Sequence, residues 1–275
     1  MKLSDFKVLT FDCYGTLIDW ETGIANALAP LVAAAGRKPT REKVLEEFAR
    51  HESAQQAETP AMPYSQLLAA VYRRLARDWG VEVSNEEANT FGASVPDWPA
   101  FKDSAEALKY LARHFKLVIL SNVDRISFRS SNEKLKVRFD AIYTAQDIES
   151  YKPSDRNFEY LLRRLREDFG FEKEDVLHAA QSLFHDHVPA NRFGLASAWI
   201  DRRNTGAGWG ATMPPAGTPS YDWRFASMAA LAAAHRKESK RRPRKIKAKA
   251  GAKRAKPARA KRKARTARRA RAGRR

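Results

Sequence analysis

In the stretch VLTFDCYGTLIDW a carboxylate, Asp12, follows the apolar run of Val8, Leu9 and Phe11, and Gly15 and Thr16 come directly after it. Further along, Ser121 and Asn122 close the run KLVILSN, Lys152 stands in the segment YKPS, and Asp186 stands in QSLFHDH. These residue types assemble one kind of chemistry. A nucleophilic carboxylate needs a cation to keep it ionised, hydroxyl and amide donors to position a substrate, and a second carboxylate to activate water. They are far apart in the chain, so a fold must bring them to one place.

The elements that could do this are short β-rich runs, each followed by a helix-length segment: KVLTFD (7–12), KLVILSN (116–122), AIYTAQ (141–146), VLHAAQ (176–181) and ASAWID (196–201). The segments between them, such as SAEALKYLARHF and NFEYLLRRLREDFG, carry apolar residues at helical spacing. The alternation predicts an α/β fold, a mostly parallel sheet with helices on both faces, whose chemistry gathers at the carboxyl ends of the strands. Residues 20–99 break the alternation with helical patterns only. They read as a helical cap inserted into a core formed by 1–19 and 100–235, and VPDWP marks the return.

Charge divides the chain in the same way. Of 51 Lys and Arg and 32 Asp and Glu, 22 basic residues and one acidic residue fall in 236–275, leaving 29 and 31 in 1–235. The body is slightly acidic and its chemistry is independent of the overall +19. The Lys/Arg/Ala-rich tail, 236–275, has almost no large apolar side chain and is expected to be disordered when free. Such tails contact nucleic acid through phosphates, without sequence preference; a dispensable extension is the equal alternative. One cysteine, Cys13, excludes an internal disulfide and fits a reducing, cytoplasmic setting. The N-terminal run lacks the length and cleavage site of a signal peptide, and no stretch approaches the ~18–20 apolar residues of a membrane span. No membrane association is expected, and the oligomeric state is left open.

FDCYGTL resembles the first motif of the haloacid dehalogenase superfamily, LSN the second, the lysine of YKPS the third, and HDH lies in the place of the fourth. The resemblance covers roughly residues 6–235. It implies a Rossmann-like parallel sheet core with the helical cap inserted after the first strand, and it makes Asp12 the nucleophile. The superfamily's phosphatases carry a second aspartate two residues after the first, where this chain has Tyr14, and an acidic Mg²⁺ ligand where it has Ser182. Tyrosine at that position is the pattern of the metal-free 2-haloacid dehalogenases. The implied function is hydrolysis of a 2-haloalkanoic acid to a 2-hydroxy acid through an aspartyl ester, with no metal and no cofactor.

The implied catalytic residues are Asp12, Thr16, Lys152 and Asp186, and the implied substrate-binding residues are Tyr14, Ser121, Asn122 and, in the cap, Arg50. Departures from the pattern are Leu183, where the dehalogenases have asparagine, and Phe158, where they have tyrosine. Two alternatives stand beside this reading: a hydrolase of another small substrate such as a phosphate ester, and a nucleic-acid-associated protein with a vestigial enzyme domain. His185 and His187 flank Asp186, and a structural role outweighs metal ligation because no further His or Cys lies at ligand spacing.

Overall fold

The computed structural model of the chain describes residues 1–36, 38–204 and 208–241. Six parallel strands form one sheet in the order β3-β2-β1-β4-β5-β6, with β1 at Val8–Phe11, β2 at Lys116–Ser121, β3 at Ala141–Thr144, β4 at Val176–Ala180, β5 at Ala196–Ile200 and β6 at Trp223–Phe225. All four residues of β1 and all five of β4 are buried, as expected of parallel strands covered on both faces. Phe11 pairs in register with Ile119 of β2 and Ala179 of β4. The residue after β1, Asp12, therefore emerges at the carboxyl edge between the ends of β2 and β4. The strand order reverses about β1, where such sheets leave a crevice for ligands.

The crossover helices are α5 (Ser104–Leu111), α6 (Arg125–Leu135), the short α7 (Ala145–Ile148), α8 (Asp155–Phe169) and α9 (Val188–Phe193). In α8 the apolar residues Phe158, Leu161 and Leu165 recur at helical spacing and are buried, while Gly170 closes the helix with φ 67°. The sixth strand was not evident in the sequence. Three residues are too few to show alternation, and β6 follows the Gly- and Pro-rich stretch 205–220. The last helix, α10, spans Met228–Arg241, so the ordered core passes the 235 boundary. Arg236 stacks over the Tyr110 ring at 4.4 Å and Glu238 accepts a hydrogen bond from the Ser4 backbone at 3.4 Å. These contacts, rather than large apolar side chains, carry the helix onward. The remainder of the basic tail, 242–275, lies outside the described residues.

Between β1 and α5 the chain makes four helices: α1 (Trp20–Ala34), α2 (Arg41–Glu58), α3 (Tyr64–Trp79) and α4 (Asn85–Gly92). Asp19, Thr40 and Ser84 cap α1, α2 and α4 through their side chains. The chain enters and leaves this insertion side by side: Asp19 N–H donates to Pro99 O at 2.8 Å and Phe101 N–H to Leu17 O at 3.1 Å. Within α1, Gly23 permits close approach to Trp98, which is 1 % exposed, and a Cβ at position 23 would lie 2.2 Å from the Trp98 ring.

Alanine has a helix propensity about 1 kcal/mol better than glycine, yet Gly23→Ala overpacks this contact. The expected net effect is destabilisation of about 1–3 kcal/mol, read as a lower midpoint in urea unfolding. An unchanged midpoint would mean that Trp98 has room to retreat.

Candidate active site

At the end of β1 the chain turns sharply. Leu17 N–H bonds Cys13 O at 2.7 Å, Gly15 N–H bonds Ile18 O at 2.8 Å, and Gly15 takes φ 92°, a region open to glycine and strained for residues with a Cβ. The turn brings Thr16 back over Asp12, and its hydroxyl donates to Asp12 Oδ2 at 2.7 Å. Thr16 Oγ1 in turn accepts from the Gln181 backbone N–H at 2.9 Å, just past β4.

Lys152 reaches the same point from the loop after α7. Asn122, after β2, grips its backbone from both sides: Lys152 N–H donates to Asn122 Oδ1 at 2.7 Å, and Asn122 Nδ2 donates to Lys152 O at 3.0 Å. The side chain is 1 % exposed. Its ammonium donates to Asp12 Oδ1 at 3.0 Å, Asp186 Oδ1 at 2.7 Å and Leu120 O at 3.0 Å, which engages all three hydrogens. Asp186 itself sits in a single π-helical turn, Leu183–His187, whose start is capped by Ser182 Oγ accepting from His185 N–H.

Behind Asp186 stands a residue that the sequence reading did not single out. His178, on β4, is fully buried, with Nε2 3.0 Å from Asp186 Oδ1 and Nδ1 2.8 Å from Thr10 Oγ1. A carboxylate only accepts, so Nε2 carries the proton and Nδ1 accepts from the threonine hydroxyl. Thr10, His178, Asp186, Lys152 and Asp12 thus form one continuous chain across β1 and β4. Asp186 Oδ2 is buried and has no protein partner.

The electrostatics follow from burial and this pairing. Burial raises the Asp12 carboxyl and Asp186 adds to the rise, while Lys152 and Thr16 pull against it; the net direction is up. Burial alone would lower Lys152, but the two carboxylates outweigh it and hold the ammonium above its ordinary range. Asp186 is held well below the usual carboxylate range against its burial, by Lys152 and His178.

The cavity above these groups is lined from the core by Asp12, Tyr14, Asn122, Lys152, Ser182, His185 and Asp186, and from the insertion by Trp20, Glu52, Gln56 and Tyr64. Its free volume is about 30 Å³, room for one or two waters. The Tyr14 hydroxyl is engaged with Ser131 Oγ at 2.8 Å, and its ring meets Trp98 edge-on. Ser121 Oγ is buried without a partner and does not line the cavity, whereas Asn122 does, with both ends of its amide committed to Lys152.

Arg50 is the sequence expectation that the structure does not bring here. Its side chain is 58 % exposed and paired with Asp78 at 2.8 Å. At about 100° per helical residue, position 50 lies on the opposite face of α2 from Phe48 and Glu52, and Glu52 is the residue that faces the cavity. The signal was present in the sequence: Val44, Leu45, Phe48, Glu52 and Gln56 share the buried face of α2, so two polar residues continue an apolar stripe.

Phe158 packs edge-on against His178 at 5.4 Å, and Leu183 is buried in the π turn. His187 is partnered by Ser197 Oγ and Ala180 O, and burial pushes it down to about 4. Among the described residues, no group of three or more His, Cys, Asp or Glu is gathered for a metal ion.

A parallel sheet with this strand order and this aspartate–lysine–aspartate edge defines a class of hydrolase, and the haloacid dehalogenase-like hydrolase family model matches residues 6–179. The chain belongs to that family. An (S)-2-haloacid dehalogenase of Pseudomonas putida is 23 % identical over 213 residues, covering 74 % of this chain and 87 % of the relative. A defluorinating L-2-haloacid dehalogenase superposes with a TM-score of 0.68 at 21 % identity, covering 86 % of this chain and 98 % of that one. The L-2-haloacid dehalogenase of Xanthobacter autotrophicus with chloropropionic acid covalently bound superposes with a TM-score of 0.67 at 18 % identity, covering 84 % and 98 %.

Removing the ammonium tests the electrostatics independently of any reaction. Lys152→Met leaves two buried carboxylates without a counterion and is expected to cost about 3–5 kcal/mol at pH 7. In that variant the folded state holds the carboxyl pKa values above those of the unfolded chain and so binds more protons, and stability rises as pH falls. Urea unfolding at pH 7 and pH 5 should show the deficit shrinking at the lower pH; a deficit independent of pH would contradict the assigned charges.

Proposed function

We propose that this hydrolase removes halide from a 2-haloalkanoic acid through an aspartyl ester on Asp12. The observation that carries the reading is the single ammonium of Lys152 bonded to both Asp12 and Asp186, with Thr16 holding the other Asp12 oxygen. The (S)-2-haloacid dehalogenase relatives and Tyr14 in place of a second acid support it. In the first step an Asp12 oxygen attacks the halogen-bearing carbon, a C–O bond forms as the carbon–halogen bond breaks, and halide leaves with the bonding pair. In the second, water attacks the Asp12 carbonyl carbon, the acyl–oxygen bond breaks, and a 2-hydroxy acid of inverted configuration departs.

Asp186 suits the role of base in the second step. Its Oδ1 is fixed by Lys152 and His178, while Oδ2 is buried with no protein partner and is free to accept a proton from water. Lys152 holds Asp12 ionised for the first step. The free volume of about 30 Å³ is small for a haloalkanoic acid, and we infer that the helical insertion, acting as a cap, moves from the sheet edge to admit it.

Halide release from the two enantiomers of 2-chloropropionate is the test. Asp12→Asn should reduce it by about 10³-fold or more, EDTA should leave it unchanged, and Arg50→Ala should retain it within about twofold because the side chain lies outside the cavity. In a single turnover in ¹⁸O-labelled water, the label should enter the Asp12 carboxylate while the product takes its new oxygen from the protein. Release that survives Asp12→Asn, or direct labelling of the first product, would end the proposal. Because Asp12 is raised above 3.8, kcat/KM should fall on acidification at a pH above the ordinary aspartate range.

A further inference from the structure

We propose that Glu52 is the specificity-determining residue of the cavity: as a neutral carboxylic acid it donates a hydrogen bond to the anionic end of the ligand, so that anion binding takes up a proton. The inference rests on the haloacid reading of the site. A haloacid brings one negative charge, and its reaction releases a second anion. Among the described residues Lys152 is the one cationic side chain lining the cavity, and its three hydrogens already have acceptors. Asp12 and Asp186 are acceptors only, Asn122 is committed to Lys152, and the Tyr14 hydroxyl is engaged with Ser131. An anion entering this space meets two carboxylates and no free cation.

Glu52 changes that balance only if it carries a proton. It is 2 % exposed, lines the cavity from α2, and receives the Tyr64 hydroxyl on Oε1 at 2.7 Å. Among the described residues no cation pairs with it. The other oxygen is then the donor available at the cavity, and Gln56, one helical turn on, also lines it. The groups that face Glu52 are Tyr64 of α3, Tyr151 of the lysine loop, and, across the cavity, Asp12, Lys152, Asp186 and His185; Asp124 lies near Tyr14 and Tyr151. Its helix neighbour His51 is engaged with Asp78. Burial lifts the Glu52 carboxyl to about 7 and Tyr64 only partly offsets it, while burial holds His185 neutral, at about 4. The proton is thus available near neutral pH and is lost above it.

The experiment is calorimetric titration of the full chain at pH 8 with lactate and, separately, with bromide, in two buffers of different ionisation enthalpy. At this pH most Glu52 carboxyls are ionised, and binding should take up about one proton per ligand. Uptake with lactate assigns Glu52 to the carboxylate end; uptake with bromide alone assigns it to the halide end. Glu52→Gln, nearly isosteric and a permanent donor, should bind the same ligand with no proton uptake and with an affinity independent of pH from about 6 to 8.5. For the wild type, kcat/KM on 2-chloropropionate should fall about tenfold per pH unit well above 7, and in Glu52→Gln that limb should flatten. Failure to bind either anion, binding without proton exchange, or proton release would overturn the inference. Proton uptake without halide release would count against the dehalogenation reading alone, and halide release without proton uptake against Glu52 alone.

Discussion

One ammonium shared by two buried carboxylates is the interaction on which the rest of the structure depends. Three charges removed from water are tolerable only when every lone pair and hydrogen finds a partner, and here nearly all do. Lys152 reaches Asp12, Asp186 and Leu120 O; Thr16 takes the second Asp12 oxygen; His178 supports Asp186 from behind. The exception is Asp186 Oδ2, which is buried without a protein partner. The sheet order makes this possible, because β1 lies between β2 and β4 and ends one residue before the aspartate.

The two halves of the site differ in character. The sheet edge is a fixed polar network whose members hold one another, with Asn122 clamping the lysine backbone and Thr10 setting the tautomer of His178. The insertion contributes Trp20, Glu52, Gln56 and Tyr64, with one internal hydrogen bond and few commitments to the core side. Ser65 N–H to Asp124 at 3.2 Å and Tyr151 to Met62 O are among the bonds that hold the halves together near the cavity. The polar groups at the sheet edge are therefore preorganised, while the facing wall of the cavity is a separate set of side chains carried on helices.

Much of this was legible in the sequence, for physical reasons that differ by residue. Asp12 announces itself because a charge at the end of an apolar strand needs an explanation, Lys152 only in combination with the other motifs, and the five strands from 7 to 201 by length and composition. Asn122 was visible as a polar strand end, but its engagement with the lysine backbone depends on the loop geometry after α7. His178 was hidden because a histidine inside an apolar strand reads as packing until its neighbours on β1 and in the π turn are known. Arg50 shows the converse. It lies in the helix that reaches the cavity, and helical phase puts Glu52 there instead, two residues away.

The paired crossing at Asp19–Pro99 and Leu17–Phe101 has a consequence for how such a molecule can diversify. Eighty residues leave and rejoin the sheet through a neck two backbones wide, so the backbone pairing of β1 with β2 and β4 contains no bond to them. The helices that wall the cavity and the edge that holds the buried charges are thus joined by two crossings, and changes in one reach the other mainly through side-chain packing.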